Sequence, residues 1–348
     1  MKESRLAMRA NAGALALLVS IVLLSIAAIS IGQVGLSLDA TLQGLFRSDV
    51  DPVITQIVWD IRAPRILTAI CAGAALGISG LLMQALFRNP VADAWSLGLT
   101  AGGQVGVALA VAGAAYAGPQ ALAFLSAFQG VSLTVAAALG VGITALAMLA
   151  LGRRLGTITL LVVGLMTWFT AQGVVSVVMH FANRAGGRVF SGWNDGTFTS
   201  VTLDHLPLLA MTVVAGAVLA LLSAKPLTSL LIGESYARSL GTDITRLRLL
   251  VLAATVLLVA PVTAFCGPVI FIGLIVPHFA RAIAGTARIA SLLPLAAMCG
   301  ALLALTADFI VHLPWDQHFL HLNAVLALIG APVVILLLVL SPTMRGLR

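Results

Sequence analysis

Long runs without a single Asp, Glu, Lys or Arg dominate this sequence. They extend from Ala10 to Leu38, Ile66 to Phe87, Ala94 to Gly152, Leu155 to Asn183, His205 to Ala224, Leu249 to Ala280, Ile289 to Ala307 and Gln317 to Met344. A helix needs about 20 apolar residues to cross a bilayer core, so most of these runs correspond to one spanning helix each. Only 9% of the 348 residues are charged and 60% are hydrophobic, proportions outside those of soluble domains. A membrane barrel would alternate polarity in short segments, and no such alternation is visible. The chain reads as an all-α, polytopic membrane protein.

Two runs need further division. Ala94 to Gly152 is 59 residues long and must hold two helices, with Tyr116-Ala117-Gly118-Pro119 as the natural turn. Leu249 to Ala280 carries Pro261, Gly267-Pro268 and Pro277, so it is either one kinked helix or two short ones meeting at Gly267-Pro268. The positive-inside rule discriminates, because one miscounted helix inverts every later loop. Ten helices with a cytoplasmic N-terminus put 14 Lys and Arg residues inside and 5 outside, the outer ones being Arg47, Arg62, Arg65, Arg184 and Arg188. Nine helices reduce that ratio to 10:9. The expectation is ten spanning helices with both termini cytoplasmic, forming a single transmembrane domain over residues 1–348.

The excess of 19 Lys and Arg over 12 Asp and Glu is therefore a topology signal, and nucleic acid is not an expected partner. Cys71, Cys266 and Cys299 lie inside apolar runs without metal-ligand spacing. Lys2, Arg5 and Arg9 resemble the start of a signal peptide, but the run behind them is about 29 residues long and reads as a retained first helix. Gly and Ala recur in nearly every span, a composition that lets helix backbones approach closely in lipid. No loop is long enough for a soluble domain, and no phosphate-binding glycine loop occurs, so no energy-converting site is expected in this chain.

Three segments stand out. Ile61-Arg62-Ala63-Pro64-Arg65 precedes the second helix, which ends in Arg88-Asn89-Pro90-Val91-Ala92-Asp93. Arg62 and Arg65 either snorkel at the outer interface or form a basic pair that grips carboxylates of a partner. The inner loop Gly233-Glu234-Ser235-Tyr236-Ala237-Arg238-Ser239-Leu240-Gly241 suggests a small helix along the cytoplasmic face, an ordered element that a plain connector does not need. The third segment is Cys266-Gly267-Pro268-Val269-Ile270-Phe271-Ile272-Gly273, leading to Pro277-His278 and Arg281. A lone His at that place is read as structural.

In this order and topology the segments closely resemble the permease subunits of binding-protein-dependent ABC importers for cobalamin, haem and iron siderophores, over roughly Ile57 to Leu340. Trp193-Asn194-Asp195-Gly196-Thr197-Phe198 and Ala327-Leu328-Ile329-Gly330-Ala331-Pro332 add to the match. The resemblance implies a homodimer in the bacterial inner membrane, two ATPase subunits beneath it that bind ATP and Mg, and a periplasmic substrate-binding protein above. No cofactor is expected in this chain itself.

By resemblance, the coupling loop spans about residues 226–246, with Gly233, Glu234, Ala237, Arg238, Leu240 and Gly241 at its core. Arg62 and Arg65 match docking positions for the binding protein, and His312 stands where relatives carry a third arginine. Asn89, Val91, Thr157 and Ile158 map to the cytoplasmic gate. Met166, Thr167, Thr170, Gln172 and Ser176 of the fifth helix are the expected path lining. Five of the six histidines fall near the outer face, and His318 with His321 would share a helical face able to contact haem iron or a released metal transiently. That placement points to haem or another iron chelate as cargo, with cobalamin as the alternative. Two rival classes remain: an intramembrane serine protease using Ser79 and His278, and an ion-coupled carrier, which would place ionisable groups near the bilayer midplane.

Overall fold

The computed structural model describes residues 2–32, 35–46, 51–121, 123, 129–182, 184–315 and 320–340. Among these there is no strand, and the helices in chain order are α1 (Lys2–Ser30), α2 (Leu38–Phe46), α3 (Pro52–Phe87), α4 (Leu99–Ala117), α5 (Gln129–Gly152), α6 (Thr157–Phe181), α7 (Arg184–Asn194), α8 (Leu206–Ile232), α9 (Glu234–Ser239), α10 (Ile244–Cys266), α11 (Ile272–Ala284), α12 (Ile289–Val311) and α13 (Leu322–Leu340). Eight are long and apolar enough to span a bilayer, namely α1, α3, α4, α5, α6, α8, α10 and α12. The short apolar helices α11 and α13 bring the expected number to ten. The run from Leu249 to Ala280 is indeed broken: α10 ends at Cys266 and the 13-residue α11, about 20 Å long, begins only at Ile272.

Boundaries differ from the charge-free runs where a charge is satisfied internally. Helix α3 starts at Pro52, not near Ile66, and passes through a π-helical stretch at Ile57–Arg62. Both arginines there are buried, at 4% and 5% exposure, so they sit inside the bundle rather than marking its edge. Helix α8 runs across the exposed Lys225, and then Pro226, to Ile232, which narrows the inner connector to residues 233–243. Gly118 closes α4 at the expected turn, its N–H donating to the Ala114 carbonyl at 3.2 Å.

The ends that the charge rule puts together do meet in space. Arg9 donates to the Ala282 carbonyl at 2.9 Å, joining the inner ends of α1 and α11. On the opposite side, Arg65 of α3 pairs with Asp308 of α12.

Helix α3 is the core of the bundle, buried along most of its length against α8, α10, α11 and α12. Two glycine seams make this closeness feasible. On the α3/α12 seam a methyl at Gly73 would strike the Gly300 carbonyl, and one at Gly77 the Ala296 carbonyl. On the α4/α5 seam Gly102 and Gly140 face each other's backbone in the same way.

Candidate functional site: a cavity, the turn at its inner end and a small inner helix

A cavity of about 640 Å³ opens where α10 breaks. One wall is a stripe of α6 at helical spacing, Leu161, Leu165, Trp168 and Gln172. Other walls come from Gln104 of α4, from Asn89 to Trp95 after the inner end of α3, from Asn194-Asp195 at the end of α7, and from Asn323 at the start of α13. Elements from both faces of the bundle thus converge on one space.

Its polar groups form a ladder. Gln172 Nε2 donates to Gln104 Oε1 at 2.6 Å, and Gln104 Nε2 donates to Asn194 Oδ1 at 2.7 Å. Asn323 Nδ2 donates to the Asn194 carbonyl at 3.2 Å and to the Pro268 carbonyl at 2.6 Å, while Asn323 Oδ1 accepts from Ile270 N at 3.3 Å. Asn323 therefore satisfies the backbone that the helix break leaves unpaired. Phe271 follows in the left-handed region, φ 66°, as the N-cap of α11, and its ring fills a notch that only a glycine at position 330 leaves open.

The cavity's charge is acidic. Asp93 and Asp195 line it, and no Lys or Arg is among its lining residues. Asp93 sits on the connector after α3, with its carboxylate over Gly273 in the first turn of α11, the positive end of that helix dipole. Burial pushes the Asp93 carboxyl up to about 6, against the downward pull of the Ala94 and Trp95 backbone N–H groups.

At the inner end, His278 of α11 holds the turn at Asn89-Pro90, its Nε2 lying 3.0 Å from the Pro90 carbonyl. Asn89 Oδ1 accepts from Val91 N at 3.1 Å, which fixes the turn itself. Arg281 donates to Gln84 Oε1 at 2.8 Å, and Gln84 Nε2 donates to the Leu274 carbonyl at 3.0 Å. The connector from Gly152 to Thr157 is held by Arg248 of α10, whose guanidinium donates to the carbonyls of Gly152 (3.3 Å) and Leu155 and to Thr157 Oγ1 (3.0 Å). Ile158 beside it is exposed. Ser79 donates to the Leu76 carbonyl at 2.8 Å, so it and His278 are each engaged with another group and do not form a dyad.

Helix α9 is the small inner helix expected from the sequence. It ends where Gly241, φ 79°, turns the chain, with Gly241 N donating to the Arg238 carbonyl and Thr242 N to that of Ala237. Ala237 is buried and anchors it, whereas Tyr236, Arg238 and Leu240 are exposed. Asp243 then caps α10 by accepting from Thr245 N and Arg246 N.

On the outer side, Arg62 donates to the Ser30 carbonyl at 3.0 Å and to that of Ile29, at the end of α1. Arg65 Nε lies 3.1 Å from Asp308 Oδ2, a charge contact without hydrogen-bond alignment, and Arg65 Nη2 donates to the Ala28 carbonyl at 3.3 Å. His312 Nδ1 lies 2.8 Å from the Asp308 carbonyl and 3.3 Å from its Oδ1. The two arginines are thus tied within the bundle instead of projecting as a basic pair, because the carbonyl end of α1 and a buried carboxylate are their nearest acceptors. His205 pairs with Thr202 Oγ1 at 2.9 Å and packs on the Phe265 ring, and His321 Nε2 lies 3.7 Å from Asp195 Oδ2. His318 lies outside the described residues.

The model of the FecCD transport family matches residues 17–340. The chain belongs to the FecCD transport family. It is 34% identical over 286 residues to the vitamin B12 import system permease protein BtuC of Vibrio cholerae serotype O1, covering 82% of this chain and 83% of that one. The BtuC of Klebsiella pneumoniae is 33% identical over 285 residues, 82% of each chain. A solved structure described as an inward-facing metal-chelate type ABC transporter superposes with a TM-score of 0.79 at 25% identity, over 95% of this chain and 100% of that chain. The protein is a multi-pass ABC importer permease of the FecCD family, a transport subunit that works with separate ATPase and substrate-binding subunits.

Of the five FecCD path residues expected on the fifth helix, Gln172 lines the cavity and Met166, Thr167, Thr170 and Ser176 do not. Thr167 spends its hydroxyl on the Val163 carbonyl at 2.8 Å, Met166 and Thr170 lie exposed on other faces of α6, and Ser176 lies exposed one turn beyond Gln172. Sequence reasoning passed over Asp93, Trp95, Gln104, Trp168 and Asn323 as lining. The amides had a readable signal, since Asn and Gln inside apolar spans face neighbouring helices in preference to lipid.

Proposed function

We propose that this permease pairs with a second copy of itself in the bacterial inner membrane, is driven by two ATPase subunits engaging α9, and imports a corrinoid-class metal chelate delivered by a periplasmic binding protein. ATP and Mg are bound by the ATPase partners, and the permease supplies the passage. Exposed Tyr236, Leu240 and Ile232 around α9 support the cytoplasmic contact, because apolar side chains on an otherwise polar inner loop gain from being covered.

The observation that carries the cargo class is the cavity chemistry. Five amides and two carboxylates without a cation suit a chelate whose periphery is carboxamide and whose net charge is not negative. A corrinoid has that periphery. Haem brings two propionates and ferric catecholates bring several negative charges, both opposed by Asp93 and Asp195. Of the outer histidines, His205 and His312 are engaged by Thr202 and Asp308, which narrows the argument for haem to His321 alone. The names of the BtuC relatives agree with a corrinoid. An iron chelate is the second reading, favoured by the half-exposed His321 at the outer mouth and by the metal-chelate solved neighbour.

The deciding experiment reconstitutes the permease with its ATPase and its own binding protein in vesicles. Cyanocobalamin, haem and a ferric siderophore are then compared for ATP-dependent uptake. The corrinoid is expected to be taken up at least severalfold faster than either iron chelate. Preference for an anionic chelate would overturn the cargo class, and uptake without the ATPase would overturn the importer reading.

A further inference from the structure

Arg248 is a cation buried in the bundle, at 8% exposure, on the second turn of α10. Such a group is retained at a cost unless acceptors surround it. All its acceptors belong to one segment, the connector between α5 and α6: the carbonyls of Gly152 and Leu155 and the hydroxyl of Thr157. A planar guanidinium that bridges three such acceptors fixes both the distance and the orientation of that segment. The segment opens directly into α6, whose inner turns carry Leu161 and Leu165 to the cavity wall.

On its other side Arg248 is close to the inner helix α9. Only residues 240–243 separate the end of α9 from the start of α10, and Asp243 clamps that junction through Thr245 N and Arg246 N. Glu234 and Arg238 of α9 lie within electrostatic reach of the guanidinium.

We propose that Arg248 is the positioning residue that transmits movement of α9 to α6, so that a push from the ATPase on the inner helix shifts the 152–157 connector and with it the cavity wall. This rests on the reading of α9 as the ATPase contact. The strap is a short, charge-assisted linkage inside a packed bundle, so α10 and the connector move as one body. An apolar side chain of similar length would fill the space but leave the connector free to lag.

The test uses the whole reconstituted complex with its binding protein and a cobalamin probe. Arg248→Met is expected to keep ATP hydrolysis within about twofold of the parent while uptake per ATP falls at least about tenfold. Arg248→Lys, a point charge without the fork, is expected to fall between the two. A spin label at Arg153→Cys should report an ATP-driven distance change between the two copies in the parent and lose it in Arg248→Met. Where Arg248→Met fails to assemble, Thr157→Ala removes one acceptor and should lower uptake per ATP severalfold.

Unchanged uptake per ATP in Arg248→Met, or in Thr157→Ala where the former does not assemble, overturns the inference, as does an unchanged label movement. Failure of the underlying reading is separable, because it shows with Arg248 intact: Tyr236→Cys then fails to cross-link to the ATPase subunit.

Discussion

A guanidinium survives inside an apolar bundle only where backbone carbonyls or a carboxylate lie within reach, and this chain repeats that solution. Arg62 takes the carbonyl end of α1, Arg65 shares Asp308 with His312, and Arg248 takes the end of α5. The Arg65–Asp308 pair is the sharpest case, since both side chains are at 5% exposure or less. Removing the carboxylate by Asp308→Ala leaves a buried charge uncompensated, at a cost of about 3–5 kcal/mol. The detergent-solubilised protein should therefore melt well below the parent in a thermal scan. Arg65→Met combined with Asp308→Leu should recover most of that loss, because apolar groups of similar volume remove the desolvation penalty along with the attraction. Equal melting of the single and double variants would mean that the pair contributes packing alone. A charge pattern cannot reveal this arrangement: in sequence Arg62 and Arg65 look like an exposed outer pair, and Asp308 lies 243 positions away from Arg65.

Helices α3 and α12 approach so closely that glycines are obligatory at their contact, whereas other glycines of the same composition face open space. Gly73→Ala forces a methyl against the Gly300 carbonyl and should cost about 1–3 kcal/mol, read as a lowered melting temperature and lower yield of folded protein. Gly142→Ala on α5 meets nothing within 4 Å and should be neutral or slightly stabilising, so the pair separates packing from helix propensity. Equal loss in both variants would refute a specific seam. Helix number and order were legible because hydropathy reports spans directly, and the positive-inside count correctly preferred a break in the run from Leu249 to Ala280. Boundaries were less legible, since a charge ends a helix in sequence logic but not where the fold supplies it an acceptor, as at Arg65, or leaves it exposed on the helix surface, as at Lys225. The cavity lining was the least legible. It is set by which face of α6 turns inward, and the weak amphipathicity of an all-apolar helix leaves that face unmarked apart from Gln172.

For the whole molecule, what matters is the potential inside the cavity where α10 breaks. Asp93 and Asp195 make it negative, and Asp93 is the group that pH can change, because its carboxyl titrates at about 6. Above that value the ionised Asp93 opposes an anionic chelate. As pH falls through 6 it takes up a proton, the opposition weakens, and a neutral or cationic chelate is little affected. In the reconstituted complex the uptake ratio of haem to cobalamin should therefore rise severalfold between pH 7.5 and pH 5.5. Asp93→Asn carries no charge at either pH, so its ratio should already be high at pH 7.5 and stay flat. Normalising each variant to its own cobalamin uptake cancels pH effects on the ATPase, and comparing the two slopes cancels those on the binding protein, which is common to both. A parent ratio that follows the Asp93→Asn ratio across the whole range would remove Asp93 from the control of cargo charge. It would leave the amide ladder from Gln172 to Asn323 as the part of the cavity that discriminates between chelates.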